Sequence, residues 1–256
     1  MSILVRVALL TLLAAFLATW ADAQSNPNPV LVELFTSEGC SDCPPADRVL
    51  QDLDKQPVAG AQIIVLSEHV DYWNQIGWAD PYSSRFFSDR QNSYSNHFGL
   101  NTVYTPQMIV DGTTEFVGSD SRHATRACQT ATTEKKIPVR ISSISVQGSN
   151  MLRAHLEAEA LPESYGRTAD VYAALALNRA DSEVSSGENS GRHLTHVAVV
   201  QNLTKVGTLD KGKGFSQDVS LKIAPGTNPA NLRLIAFVQE SGPGKVLGAA
   251  SERVGK

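Results

Sequence analysis

The chain has 256 residues, of which 42% are hydrophobic and 19% are charged. This composition is that of a globular protein and excludes a disordered chain, a collagen and a polytopic membrane protein. The net charge is −4 and no basic block stands out, which argues against a nucleic-acid-binding protein. The length predicts about two domains, and three cysteines are too few for a disulfide scaffold of this size.

Residues 1–23 have the pattern of a secretory signal peptide. One charged residue, Arg6, precedes an apolar run from Val7 to Ala18, and Ala21-Asp22-Ala23 forms a small-residue cleavage site. A membrane anchor needs about 20 apolar residues, so this shorter run does not predict one. We therefore expect cleavage after Ala23, a periplasmic or secreted protein, and no stable membrane insertion after cleavage.

The first half of the mature chain predicts an α/β domain over residues 30–136. Residues 24–29 form a polar, proline-containing leader that we expect to be flexible. Apolar β-rich runs and segments with helical spacing then alternate. The predicted strands are 30–35, 63–67, 107–110 and 114–117, and the predicted helices are 44–56, 81–98 and 121–135. Asp111-Gly112 separates the last two strands, and this dipeptide is typical of a tight hairpin.

From residue 137 onward, apolar and polar residues alternate with a period of two, as in Leu152–Ala158. Short strands separated by glycine, proline, asparagine and serine are predicted at 139–141, 152–158, 171–177, 196–200, 219–223, 232–238 and 246–250. About seven such strands are typical of a β-sandwich. We therefore expect an all-β, sandwich-like second domain over residues 137–256.

Cys40 and Cys43 lie between the first predicted strand and the helix that follows it. Unsatisfied N–H groups at a helix start stabilise a thiolate, and the short spacing lets the second sulfur attack a mixed disulfide. The pair therefore favours thiol–disulfide exchange without a bound cofactor, with Cys40 as the attacking thiolate and Cys43 as the resolving thiol. Half of a zinc site and a purely structural bridge are the alternatives.

Acidic residues surround this pair: Glu38, Asp42 and Asp47, with Arg48 as the nearest base. Like charges oppose a thiolate, whereas the helix start favours it. We expect these opposing effects to leave a fairly reducing couple. The third cysteine, Cys128, lies in a predicted helix and is expected to be a buried, small hydrophobic side chain.

Thr105-Pro106 comes just before the third predicted strand. The order of strand, CxxC, helix, strand and Thr-Pro resembles the thioredoxin superfamily. The resemblance implies that Pro106 follows a cis bond and faces the active-site sulfurs, where its neighbour's backbone pairs with a bound substrate. It also implies that a carboxylate on the first strand carries the proton of the second thiol. Glu33 is the candidate here, and it lies one residue farther from the first cysteine than the carboxylate of that superfamily. The alternative for Glu33 is a polar residue at a strand edge.

Longer motifs resemble those of a secreted family, the domain of unknown function 1223 family. They are VELFTSEGC at 32–40, SDCPPAD at 41–47, HVDYW at 69–73, GW at 77–78, YTPQM at 104–108, VGSD at 117–120, and GEN, GR and LTH within 187–196. This resemblance covers nearly the whole mature chain and implies a thioredoxin-like fold without an established substrate. The expected fold is thus an α/β thioredoxin-like domain followed by an all-β, sandwich-like domain.

Aromatic residues follow the second predicted strand, at the end of the sheet where the CxxC lies and where ligands of open α/β sheets bind. We expect Tyr72, Trp73 and Trp78, together with Thr105, to line a groove for an extended peptide. Packing within the loop is the alternative. His69 is a candidate third ligand in a copper or zinc site with the two cysteines.

The predicted function is exchange on protein or small-molecule thiols and disulfides, with an electron donor or acceptor that the sequence does not name. Two alternatives remain open at this stage. A metallochaperone would bind copper or zinc through the same cysteines. A non-enzymatic interaction module would use the second domain as its binding surface.

Overall fold

The computed structural model describes residues 27–56, 58–148, 150–163, 165–166 and 168–255. The predicted signal peptide and the first residues of the leader lie outside this range. The protein has a mixed α/β fold with a large mixed sheet and few helices. Within the described residues, no helix is both long enough and apolar enough to cross a membrane.

All the strands and helices predicted for the mature chain are present; strands 107–110 and 114–117 have the predicted bounds, and the boundaries of the others are shifted. The helices are α1 (Cys43–Lys55), α2 (Arg85–Phe98) and α3 (Ser121–Ala131). The strands are β1 (Asn28–Thr36), β2 (Ala61–His69), β3 (Gln107–Val110), β4 (Thr114–Val117), β5 (Val139–Gln147), β6 (Met151–Ala158), β7 (Ala169–Glu183), β8 (His193–Leu209), β9 (Phe215–Lys222), β10 (Leu232–Glu240) and β11 (Val246–Arg253).

Two boundary shifts have local causes. Helix α2 begins later than predicted because the Ser84 side chain accepts a hydrogen bond from the N–H of Phe86 and caps the helix there. Strand β1 begins earlier than predicted because Asn28 pairs with Ala61 of β2.

Strands from both predicted halves form a single eight-stranded sheet in the order β11-β10-β7-β8-β2-β1-β3-β4. The pairs β1–β2 and β2–β8 are parallel, and the other neighbours are antiparallel. Ser67 of β2 pairs with Val199 of β8 where the halves meet. Strands β5, β6 and β9 form a separate antiparallel sheet. The predicted boundary near residue 136 thus lies between α3 and β5, while the large sheet continues across it.

Helices cover both faces of the first-half strands. Alternate side chains of β1 point to opposite faces, as in any strand. Val30, Val32 and Leu34 pack with α1 and α3, whereas Leu31 packs near Phe87 of α2 and Phe35 packs with Tyr94 of α2. A residue of β1 therefore faces either the CxxC helix or α2, and this alternation decides which side chains can reach the cysteines.

The three-stranded sheet packs on the second-half part of the large sheet. Their shared core is apolar and includes Leu152 and Leu156 of β6, Leu175 of β7 and Leu234 of β10. This core holds β7 and the following hairpin in place, and the hairpin loop between β7 and β8 reaches the cysteines.

Candidate functional site

Cys40 and Cys43 form a disulfide at the junction of β1 and α1, with their Cα atoms 5.4 Å apart. Cys43 is the first residue of α1, and its backbone N–H donates to the Cys40 carbonyl over 3.2 Å. Pro44 and Pro45 suit the first turn because their missing N–H groups would have no partner there. Only 1% of Cys40 and 0% of Cys43 is exposed. The disulfide is therefore covered, although it lies at the junction of a strand and a helix.

The cover is a loop from the second half of the chain, residues 184–192, which we call the cap loop. Asn189 Nδ2 donates to the carbonyl oxygens of Glu38 at 2.8 Å and Cys40 at 2.9 Å. Glu188 Oε2 accepts the backbone N–H of Ser41 at 3.0 Å. These contacts fix the cap loop directly on the CxxC turn.

Two glycines allow this close packing. A Cβ atom on Gly39 would lie 3.0 Å from Trp73 Cβ. Gly187 of the cap loop has φ +73°, and a Cβ there would lie 3.1 Å from Trp78 Cβ. Larger residues at these positions would push Trp73 away from the CxxC turn and Trp78 away from the cap loop.

The Thr105–Pro106 bond is cis, as the resemblance implied. Trp73 links this segment to the CxxC turn, because its Nε1 donates to Thr105 Oγ1 at 2.8 Å while its Cβ lies against Gly39. Pro106 also lies close to α1: a Cβ on Gly118 would be 3.1 Å from Ala46 Cβ and 3.5 Å from Pro106 Cβ. The structure thus brings Trp73 against the CxxC turn, Thr105 within hydrogen-bond reach of Trp73, and Pro106 close to α1.

The other two aromatic residues predicted to bind substrate differ in environment. Trp78 donates its indole N–H to Glu38 Oε2 at 2.8 Å, so it packs at the base of the site. Tyr72 is 38% exposed, and its hydroxyl donates to Gln91 Oε1 at 3.2 Å. Of these two side chains, Tyr72 offers more surface to a ligand.

Glu33 is not brought together with the cysteines. Its carboxylate accepts hydrogen bonds from Arg90 Nε at 2.7 Å and from the Tyr94 hydroxyl, both on α2. Its neighbours Val32 and Leu34 are the β1 side chains that pack toward α1. The position of Glu33 on the α2 face does not match the predicted role as proton carrier for Cys43.

Five buried ionisable side chains lie near the disulfide instead: Glu38, Asp47, His69, Asp80 and His196. His69 Nδ1 lies 2.7 Å from Asp80 Oδ2, and that oxygen also accepts the backbone N–H of Glu38 at 2.8 Å. Burial alone would raise the pKa of Asp80, but the charge and hydrogen bond of His69 and two backbone N–H groups lower it.

His196 of β8 lies between two of these carboxylates. Its Nε2 is 3.4 Å from Glu38 Oε1, and its Nδ1 is 3.6 Å from Asp47 Oδ1. Burial alone would lower the pKa of His196, but Asp47 and Glu38 outweigh burial and raise it to about 10. The site therefore holds a buried cation at neutral pH that balances part of its acidic charge.

Sequence reasoning missed His196, Asn189 and Asp80 as parts of this site. The motifs GEN and LTH, within residues 187–196, already contain two of them. The sequence does not show their role because these residues lie far from the cysteines along the chain; Asn189, for example, is 149 residues from Cys40. Neither helical nor strand periodicity shows which distant loop will fold back onto a motif.

His69, which the sequence offered only as an alternative metal ligand, is paired with Asp80 through Nδ1. Across the described residues, no three histidine, cysteine, aspartate or glutamate side chains are arranged to hold a metal ion.

Cys128 is buried in the α1–α3 core, which confirms the prediction for this residue. Burial and then the charge of Asp111 raise the pKa of its thiol to about 12. Cys128 is therefore a thiol rather than a thiolate at neutral pH, and a poor nucleophile.

The fold and this site define a mixed α/β protein with a covered CxxC disulfide between a strand and a helix. A family model described as "Protein of unknown function (DUF1223)" matches residues 31–239. The chain belongs to this family. No curated protein matches it.

Two solved structures resemble the chain over most of its length. A structural-genomics target from Agrobacterium tumefaciens is 28% identical, with a TM-score of 0.67, and the match covers 89% of this chain and 94% of that one. HBP35 of Porphyromonas gingivalis is 13% identical, also with a TM-score of 0.67, and the match covers 91% of this chain and 77% of that one. The second likeness concerns the fold alone.

Proposed function

We propose that this chain is an exported thiol–disulfide oxidoreductase, with a thioredoxin-like first half (residues 30–136) and a sandwich-like second half (residues 137–256). The observation that carries the proposal is the Cys40–Cys43 disulfide at the β1–α1 junction, and the cis Thr105–Pro106 segment, linked through Trp73 to the CxxC turn, supports it. A bridge that closes so short a loop constrains the unfolded chain little, so stabilisation alone does not account for it.

Exchange proceeds in two steps that conserve electrons. The reduced Cys40 thiolate attacks a substrate disulfide, forms a mixed disulfide and releases one substrate thiolate. Cys43 then loses its proton and attacks the Cys40 sulfur, which reforms the Cys40–Cys43 bond and releases the second substrate thiolate. Two electrons pass to the substrate, and a separate dithiol partner restores the reduced pair. With a substrate dithiol the same steps run in reverse.

Burial of the pair adds a requirement to this scheme. Because Cys40 is 1% exposed, the cap loop must move before a substrate sulfur can reach it. The neighbouring Thr105 backbone and the Tyr72 side chain then become the surface that positions the substrate. This restricts exchange to partners that can open the cap loop.

Export is the second part of the proposal. Residues 1–23 have the pattern of a signal peptide. A disulfide persists in an oxidising compartment and is rare in the cytosol. We therefore place the mature protein in the periplasm or outside the cell.

The test is capture of partners by Cys43→Ala. Without the resolving thiol, Cys40 should remain bonded to substrates as mixed disulfides that dithiothreitol releases. The matched control is the double variant Cys40→Ala, Cys43→Ala, which retains Cys128 and should capture nothing. The reduction potential of the wild-type pair, measured with the metal content of the same sample, completes the experiment.

Two results would contradict exchange. One is a folded Cys43→Ala protein that captures no partner, together with a wild-type pair that does not reduce reversibly. The other is stoichiometric copper or zinc that blocks oxidation of the cysteines, which would support metal handling instead.

A further inference from the structure

His196 connects the two carboxylates that flank the redox pair. Glu38 lies just before Cys40 on the same turn, and Asp47 lies one helical turn after Cys43 on α1. His196 is 1% exposed and comes from β8, in the other half of the chain. The ring is thus placed against both sides of the CxxC turn.

The geometry favours the protonated ring, with ion-pair contacts in place of hydrogen bonds: within the described residues neither ring nitrogen has a hydrogen-bond partner. Both nitrogens face carboxylate oxygens, Nε2 at 3.4 Å and Nδ1 at 3.6 Å. A neutral imidazole has one N–H and one lone pair, so one nitrogen would repel the carboxylate it faces. The imidazolium presents an N–H to each.

Each of the two carboxylates also accepts a hydrogen bond from a residue other than His196. Trp78 donates to the second oxygen of Glu38 at 2.8 Å, and the Thr36 hydroxyl donates to Asp47 Oδ1 at 3.0 Å. These contacts fix the two carboxylates on either side of the ring.

Other titratable groups also face the ring. The His69 ring, paired with Asp80, has its centroid 4.7 Å from that of His196, and the Tyr82 ring lies at 6.3 Å. Arg48 of α1 and His193 of β8 line a cavity together with Asp47. His196 is the cation placed between the two acids that flank the cysteines.

We propose that His196 is a positioning residue for the redox pair: its imidazolium, held by Glu38 and Asp47, stabilises thiolate charge on the CxxC turn. The inference rests on the proposed function. When a substrate thiolate attacks Cys40, the Cys40–Cys43 bond breaks and Cys43 leaves with the electron pair. That new negative charge forms beside two carboxylates, and the imidazolium offsets them. The second substrate thiolate then attacks the substrate sulfur of the mixed disulfide, which completes the substrate disulfide and releases Cys40 as a thiolate. The protons of the two substrate thiols neutralise the reduced pair.

The inference changes the expected redox behaviour. Acidic neighbours alone predict a fairly reducing couple, because they disfavour the reduced, thiolate form. A cation beside the pair stabilises that form and makes the couple more oxidising.

The test compares His196→Gln with wild type in a Cys128→Ala background, so that Cys40 and Cys43 are the only thiols available for alkylation. The pH profile of alkylation of the reduced pair should shift upward by about one unit, because an opposite charge is lost. The reduction potential should become more negative, by about 30 mV for each tenfold change in the exchange equilibrium. His196→Lys, which keeps the charge, should recover part of both shifts.

The matched control is His155→Gln, since His155 also pairs with a carboxylate, Asp218, but on the three-stranded sheet. It should shift neither the pH profile nor the potential. A folded His196→Gln protein with wild-type values for both would overturn the inference, while a reversible couple would leave the proposed function standing.

A measurement on the unmutated protein covers the case in which His196→Gln does not fold. In ¹⁵N spectra of labelled histidine, the His196 ring should remain an imidazolium at pH 8 in the oxidised protein. Its titration midpoint should move upward on reduction, because coupling between charges is reciprocal. A ring that is neutral at pH 7 in both redox states would overturn the inference.

Discussion

At the residue scale, the protein keeps two buried charge clusters on opposite faces of one sheet. The cluster on the α2 face consists of Glu33, Glu68 and Arg90, with Tyr94 and Gln239 bonded around them. Arg90 also lies over the Tyr94 ring, 5.1 Å from its centroid. One guanidinium therefore forms ion pairs with two buried carboxyl groups. The pair with Glu68 is the longer one, with 3.6 Å between Arg90 Nε and Glu68 Oε2.

Glu68 consequently makes the free energy of unfolding depend on pH. Burial and then the charge of Glu33 raise its pKa well above the usual value, although Arg90 opposes this. A carboxyl group with a raised folded-state pKa binds its proton more tightly in the folded protein. The free energy of unfolding therefore falls as pH rises above the unfolded-state value of 4.5. Each unit of separation between the two states corresponds to about 1.4 kcal/mol.

We expect Glu68→Gln to be more stable than wild type at pH 7 and to lose that advantage by pH 4. Urea unfolding at several pH values measures the difference. The exposed Glu159→Gln variant is the control and should track wild type at every pH. A Glu68→Gln advantage that is the same at pH 4 and pH 7 would contradict the prediction.

Glu33 shows where sequence inference stops at this scale. The Cys40–Cys43 pair could be predicted, because spacing within one turn is local information. Assigning Glu33 to the cysteines required the direction of its side chain. Neighbouring residues in a strand face opposite sides, so an offset of one residue exchanges the α1 face for the α2 face.

At the element scale, the main result is that the hairpin between β7 and β8 covers the Cys40–Cys43 disulfide. Asn189 alone supplies two hydrogen bonds to the CxxC turn. Each net hydrogen bond contributes about 0.5–1.5 kcal/mol, so the Asn189 side chain holds the cap loop closed by about 1–3 kcal/mol.

Asn189→Ala should therefore speed reduction of the Cys40–Cys43 disulfide by dithiothreitol, by about 5- to 150-fold if opening of the cap loop limits the rate. Stopped-flow or quenched alkylation assays measure this rate. Asn92→Ala, an exposed asparagine on α2, is the control and should leave it unchanged. An unchanged rate in a folded Asn189→Ala protein would show that the cap loop does not limit access.

Elements were predictable because their patterns are periodic and local. The Asp111-Gly112 turn lies between β3 and β4, as the dipeptide indicated. The destination of the cap loop was not predictable, since a turn-rich segment such as Gly187-Glu188-Asn189 has no periodic face. Its position depends on the pairing of β7 with β8 and of β8 with β2.

At the scale of the whole molecule, the halves share both a sheet and a core. Ile64 and Leu66 of β2 pack in the same cluster as Val200 of β8 and Ile235 of β10. Arg233 of β10 forms a two-pronged ion pair with Asp54 of α1, at 2.6 and 3.0 Å. Separation of the halves would expose the apolar cluster and leave the β2 edge without a neighbour.

We therefore expect residues 27–136, expressed alone, to lack a cooperative thermal transition, whereas the whole chain unfolds in one. Circular dichroism and calorimetry of both proteins measure this. The reason is that the isolated piece loses the β8 partner and part of its core. A fragment that melts cooperatively near the temperature of the intact protein would show that the first half is an independent domain.

The alternation of strand and helix followed by a strand-only half could be predicted, and so could a mixed α/β composition. Continuity of the sheet could not, because the two parallel neighbours of β2 are β1 and the much later β8. Side-chain periodicity identifies a buried strand without saying which strand lies next to it.

The long separation between the cysteines and Asn189 has a consequence for biosynthesis. The chain must grow by 149 more residues after Cys40 before Asn189 exists. At about 5–20 residues per second, this leaves the cysteines uncovered for about 7–30 s. An oxidant present in that interval can react with exposed thiols, whereas one that arrives later finds both cysteines covered by the cap loop. The Cys40–Cys43 bond is therefore expected to form most readily in a chain whose cap loop has not yet closed over the cysteines.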